Sequence, residues 1–153
     1  MCTILSWPVQ VDHQSGVLFE ANPLLSLAVL ARRRKVATYL LAVVGASPNG
    51  VADRGGFTPL MDAAWSGDLA LVRLLLVFGA DPAATGHSHF SGGIKSSGPW
   101  HDAAGWAAHR GHAEVVRHLR EWAAADPAAL KGIMARGRAA ARAALAGTAA
   151  LSP

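Results

Sequence analysis

The chain has 153 residues and a mass of 15.8 kDa; at 52% hydrophobic and 16% charged it is too apolar for a disordered polymer and suits one domain with a continuous core. Its net charge of +4 is confined to one end: residues 1–126 carry ten basic and ten acidic groups, and the excess is Lys131, Arg136, Arg138 and Arg142. A nucleic-acid-binding surface spread over the fold is therefore not expected, and the lone Cys2 excludes a disulfide framework or a cysteine metal site and fits a reducing compartment.

In residues 1–21, Val9, Val11, Val17, Leu18 and Phe19 surround a polar turn from Asp12 to Gly16. This stretch reads equally as a degenerate structural repeat covering its neighbour or as an N-terminal arm. No basic leader opens the chain, and Asp12, His13 and Glu20 interrupt its first 30 residues, so no secretory signal is expected. Leu24–Ala31 is apolar but too short to cross a bilayer. An intracellular protein of cytoplasm or nucleus is the expectation.

Asn22-Pro23-Leu24-Leu25 starts a helix, and the basic run Arg32-Arg33-Arg34-Lys35 turns the chain. Val36–Val44 makes a second helix, ending in Gly45-Ala46-Ser47-Pro48-Asn49. Gly50–Phe57 reads as a projecting turn with Asp53 and Arg54 at its tip. The clearest unit follows. Thr58 offers a capping hydroxyl and Pro59 suits the first helical position. Leu60, Ala63 and Ala64 share one side, where the two alanines admit a close neighbour. Gly67-Asp68 breaks and recaps the chain, and Leu69–Phe78 carries Arg73 as its one charge before Gly79 stops the helix. A helix this apolar needs cover on more than one side. The unit cannot bury its own surface, as expected of one repeat in a stacked array.

Ala83–Pro99 is rich in glycine, serine and histidine and reads as an inserted loop. Beyond it Asp102 can cap a short helix, and Ala113–Trp122 forms another whose Glu114, Arg117, Arg120 and Glu121 mark a wet side near the end of a stack. Asp126-Pro127 opens a last Ala-rich helix, with Leu130, Ile133, Met134, Ala141 and Leu145 in line and arginines opposite. It is expected to pack on the last repeat as a cap, with Gly132 and Gly137 each weakening it by up to ~1 kcal/mol. Its alanine-rich face argues against membrane insertion.

Thr58-Pro59-Leu60, Ala63-Ala64, Gly67-Asp68, Leu71-Val72, Leu74-Leu75-Leu76 and Gly79-Ala80-Asp81 resemble an ankyrin repeat along its length, with Met61 where that family usually has histidine. Ala107-Ala108-His109-Arg110-Gly111-His112-Ala113-Glu114-Val115-Val116 resembles the back half of another, with His112 at the family's inter-helix histidine. Gly45-Ala46 and Gly79-Ala80 lie 34 residues apart, near the family's period, whereas Pro23 and Pro59 lie 36 apart, so the first copy holds about two extra residues. The resemblance implies an all-α fold: a short solenoid of about three helix-turn-helix repeats with a C-terminal capping helix. The expected division is 1–21 as arm or degenerate repeat, 22–125 as repeats (about 22–55, 56–86 and 100–125, with loop 83–99 inserted), and 126–153 as basic helix and tail.

Catalytic chemistry finds no support. His87, His89 and His101 could meet around a metal if the loop folded back, but nothing fixes that geometry and no metal site is expected. Gly92-Gly93-Ile94-Lys95-Ser96 lacks the glycine a phosphate-binding loop needs before its lysine, and Ser88 lacks a nucleophile elbow because Phe90 replaces its glycine. Arg32–Lys35 could meet phosphates, an acidic partner or an import receptor, or simply be a solvated corner. No enzyme activity and no cofactor are expected.

The remaining candidate is a groove. With Leu60, Ala63 and Ala64 turned to the core, Met61, Asp62 and Trp65 should share the opposite face of their helix, and Trp106 and His109, with Arg110, take matching places in the third repeat. The resemblance implies that a partner protein binds along this concave side and at the turn tips, here Asp53 and Arg54. The competing reading packs Trp65 or Trp106 beneath the inserted loop or the N-terminal arm. The expected function is non-catalytic protein binding, as adaptor or scaffold. The alternatives are a regulatory or targeting piece of a larger protein and a metal-dependent role for the His-rich loop.

Overall fold

Apolar periodicity and three well-placed caps organise the chain into helix pairs. The structure, a computed structural model, describes residues 10–11, 18–19, 23–50, 56–86 and 100–149. Two short strands, β1 (Gln10–Val11) and β2 (Leu18–Phe19), pair antiparallel with Gln10 opposite Phe19. Three helix pairs follow: α1 (Pro23–Leu30) with α2 (Arg34–Tyr39), α3 (Pro59–Ser66) with α4 (Leu69–Val77), and α5 (Ala103–His109) with α6 (Ala113–Ala124). A long helix, α7 (Pro127–Ala149), ends the described chain. The fold is the all-α solenoid expected. Among the described residues no helix is long and apolar enough to cross a membrane.

The caps act as the sequence implies. Thr58 Oγ1 accepts from the Met61 amide at 3.3 Å, Asp68 Oδ1 from Ala70 and Leu71 at 3.1 and 3.2 Å, and Asp102 Oδ1 from Gly105 at 2.7 Å. The second pair sits at the centre, with α3 packed against α1, α4 and α5. Leu60, Leu71, Val72, Leu75 and Leu76 are accordingly all but fully buried, each contributing roughly 1.5–3 kcal/mol by leaving water.

Hydrogen bonds run between repeats as well as within them. Asn49, after the first pair, accepts from the Asp81 amide at 2.7 Å and donates to the Gly79 carbonyl at 3.0 Å. The basic run is only partly a solvated corner. Arg32 takes the left-handed place that Gly67 and Gly111 hold in the other repeats, at φ 53° against 71° and 77°, and its guanidinium donates to the Ser66 carbonyl. Arg34 pairs with the buried Asp68 carboxylate at 3.2 Å. One of the first repeat's extra residues is absorbed by a π-helical turn, Leu40–Val44, which continues α2.

The last helix departs from its expected seat. Instead of lying chiefly on the third repeat, α7 turns back along α4 and the π turn. The physical reason is shape: Gly137 lets the α7 backbone close on Val77, and Met134 reaches Gly79. The outer side of the third repeat stays open as a shallow cavity of about 540 Å³ lined by Ala108, Gly111, Val116, Arg117 and Arg120 among others.

Candidate functional site

At the junction of α3 and α5, the two inner helices bring together an aromatic cluster. Trp65 closes α3, Trp106 lies in mid α5, and His109 and Arg110 end α5. The Trp65 and Trp106 ring centroids are 5.4 Å apart and edge to face. His109 stacks on Trp65 at 6.0 Å with planes 22° apart, and the Arg110 guanidinium lies 4.7 Å from the Trp65 ring centroid. Four of the expected partner-binding residues thus form one surface. The tryptophans are half-buried, while His109 and Arg110 are exposed.

Trp106 is also tied inward. Its indole Nε1 donates to the Gly86 carbonyl at 3.3 Å, and its ring meets Phe57 at 5.4 Å and His101 at 5.2 Å, both edge to face. Gly86 and His101 exchange backbone hydrogen bonds of 3.0 and 3.3 Å, which close the base of the inserted loop. The packing reading and the groove reading therefore share Trp106: one edge is anchored by the loop base, and the other meets Trp65 and His109.

Met61 and Asp62 do not join this surface. The expectation of an outward face shared with Trp65 fails because α3 is flanked on three sides, leaving Met61 at 0% and Asp62 at 5% exposure. The loop base completes the cover: a Cβ on Gly86 would stand 3.1 Å from the Met61 sulfur. Asp53, Arg54, His87 and His89 lie outside the described residues. Of the three metal candidates His101 alone is described, set edge-on to Trp106. Among the described residues no group of three or more His, Cys, Asp or Glu side chains could hold a metal ion.

Phe57 and His101 are the members of the cluster that the groove reading missed. Each directly precedes a capping residue, Thr58 or Asp102, so the two are equivalent by the same 44-residue offset that relates Gly67 to Gly111. His112 bridges the second and third helix pairs, with Nε2 3.2 Å from the Trp65 carbonyl oxygen. That contact fixes the end of α3 against the start of α6 and so holds Trp65 where α5 can reach it.

The family model for ankyrin repeats (3 copies) matches residues 2–85, more than half of the chain. The match ends before α5 and α6, which nonetheless repeat the side-chain cap and the left-handed glycine break of the pair before them, while His112 replaces the capping Asp68 without a capping bond. No curated protein and no solved structure matches the chain. Ankyrin repeats are generally protein–protein interaction modules and typically non-catalytic. The repeat pattern, the stacked helix pairs and the family match agree: the chain belongs to the ankyrin repeat family.

Proposed function

We propose that this chain is a non-catalytic adaptor or scaffold that binds another protein through Trp65, Trp106, His109 and Arg110, with Asp53 and Arg54 contributing to the same recognition. The observation that carries the reading is the partly exposed Trp65 ring, with His109 stacked on it and Arg110 over it. Tryptophan and arginine are the side chains most enriched at binding hot spots, and rigid aromatic rings give contact area at little entropic cost. A cluster meant only for stability would gain by burying both rings. Met61 and Asp62 enter only as support beneath the surface.

The test is affinity capture from extracts of the source cells, with wild type beside a His109→Ala/Arg110→Ala variant. Both side chains are exposed, so circular dichroism should show unchanged helix. A partner retained by wild type and depleted about tenfold or more in the variant, the equivalent of ~1.4 kcal/mol, supports the reading. Equal recovery overturns it.

A further inference from the structure

The outer face of the first repeat is unlike the rest of the molecule. Seven of the nine large apolar side chains exposed among the described residues belong to this one helix pair. Along α1, Leu25, Ala28 and Val29 are buried, whereas Leu24, Leu27 and Leu30 occupy the opposite arc, with Leu27 at 63% exposure. Along α2 and its π turn, Val36, Tyr39 and Val43 form a second row at helical spacing, with Val43 at 58%. The solvent side of a surface helix is ordinarily polar, and this pair carries leucine, valine and tyrosine there instead. Apolar surface on this scale marks a place where something docks.

The charges beside it say what. Residues 23–50 hold four cations and no Asp or Glu. Arg32 and Arg34 are committed to Ser66 and Asp68 of the next repeat. Arg33 and Lys35 are exposed and make no ion pair with a described residue. An occupant must therefore offer apolar side chains bordered by carboxylates. Two packed helices also present ridges at the spacing another helix accepts.

We propose that this face docks an amphipathic helix of a partner protein, its apolar stripe laid on Leu24, Leu27, Tyr39 and Val43 and its flanking Asp or Glu side chains paired with Arg33 and Lys35. This is helix-in-groove recognition, with the charges setting orientation and choice of partner. It is independent of the aromatic cluster, which lies on α3 and α5.

The experiment titrates the full chain, by fluorescence anisotropy, into two synthetic amphipathic peptides that share a leucine stripe, one bordered by glutamates and the other by lysines. The glutamate peptide should bind at least about tenfold more tightly. Leu27→Glu/Val43→Glu should abolish that binding, Arg33→Glu/Lys35→Glu should reverse the preference, and His109→Ala/Arg110→Ala should change neither. All substituted side chains are exposed, and circular dichroism checks that each variant is folded. Equal binding of the two peptides, or binding of neither, overturns the proposal. Binding to phosphatidylserine vesicles without the peptide preference also overturns it, in favour of a membrane surface. A dimer in sedimentation that Leu27→Glu dissociates overturns it in favour of a second copy of this chain.

Discussion

Gly67 is held by two independent constraints, one local and one distant. Its φ of 71° lies in the left-handed region, and a Cβ there would come within 2.6 Å of the His112 imidazole. Gly67→Ala should therefore cost roughly 2–4 kcal/mol by urea denaturation, and the cost should fall to ~1–2 kcal/mol in a His112→Ala background, where only the backbone strain remains. An equal cost in both backgrounds would mean that the ring yields freely. The sequence shows the break at Gly67 but not the ring that fills the space beside it.

Among the described residues, His118 is a titrating group whose environment bears on stability. Its Nε2 is buried without a hydrogen-bond partner in α6, and burial holds its pKa below the ordinary 6.5. Arg73 and Arg117 push the same way, and Glu121 opposes them. The unfolded chain thus takes up the proton first as pH falls, so this residue costs stability progressively below about pH 6.5 until the folded form is protonated too. Denaturation of His118→Leu between pH 7 and pH 5 should show a shallower loss than wild type. A parallel loss would remove His118 from the account. Met61 gives the converse lesson: helical spacing placed it outward, and burial by the helices flanking α3 and by the loop base overrode that local rule.

At the scale of elements, α7 shows how packing reverses a propensity argument. Glycine inside a helix costs up to ~1 kcal/mol against alanine, which makes Gly132 and Gly137 look alike in the sequence. At Gly132 an added Cβ would meet only Arg136 at an ordinary 3.5 Å, so Gly132→Ala should stabilise by up to ~1 kcal/mol. At Gly137 it would lie 2.6 Å from a methyl of the stiff Val77 side chain. Gly137→Ala should therefore destabilise by roughly 1–3 kcal/mol and loosen α7 from α4, measured by thermal denaturation and by amide exchange in α7. Both variants stabilising together would contradict the seat assigned to α7. That seat was not legible in the sequence, because an alanine-rich helix with one apolar line fits many surfaces, whereas the second helix pair and the start of the third were legible because Thr58, Asp68 and Asp102 each announce a helix start. The extra residues of the first repeat were countable, but not their resolution into a π turn.

For the whole molecule, the stack gives three surfaces of different character: an apolar, cation-bordered outer face on the first repeat, an aromatic cluster between the second and third, and an open cavity on the third. At the cavity the Arg117 guanidinium already meets Glu121 at 3.8 Å, so its charges are partly satisfied internally. The aromatic surface was half legible. Trp65, Trp106 and His109 follow from aligning two repeats, whereas Phe57 and His101 depend on a loop that leaves and returns through Gly86 and His101, a closure no local pattern encodes.

The claim that unites these scales is that the α3–α5 face, centred on Trp65, is where a partner protein sits. The most direct measurement places a photo-crosslinking amino acid at His109 in one variant and at Glu114, on the start of α6, in another, and irradiates each in extracts of the source cells. A defined covalent adduct with another protein is expected from the His109 position and none from Glu114. Adducts from Glu114 alone, or none from either position, would contradict it.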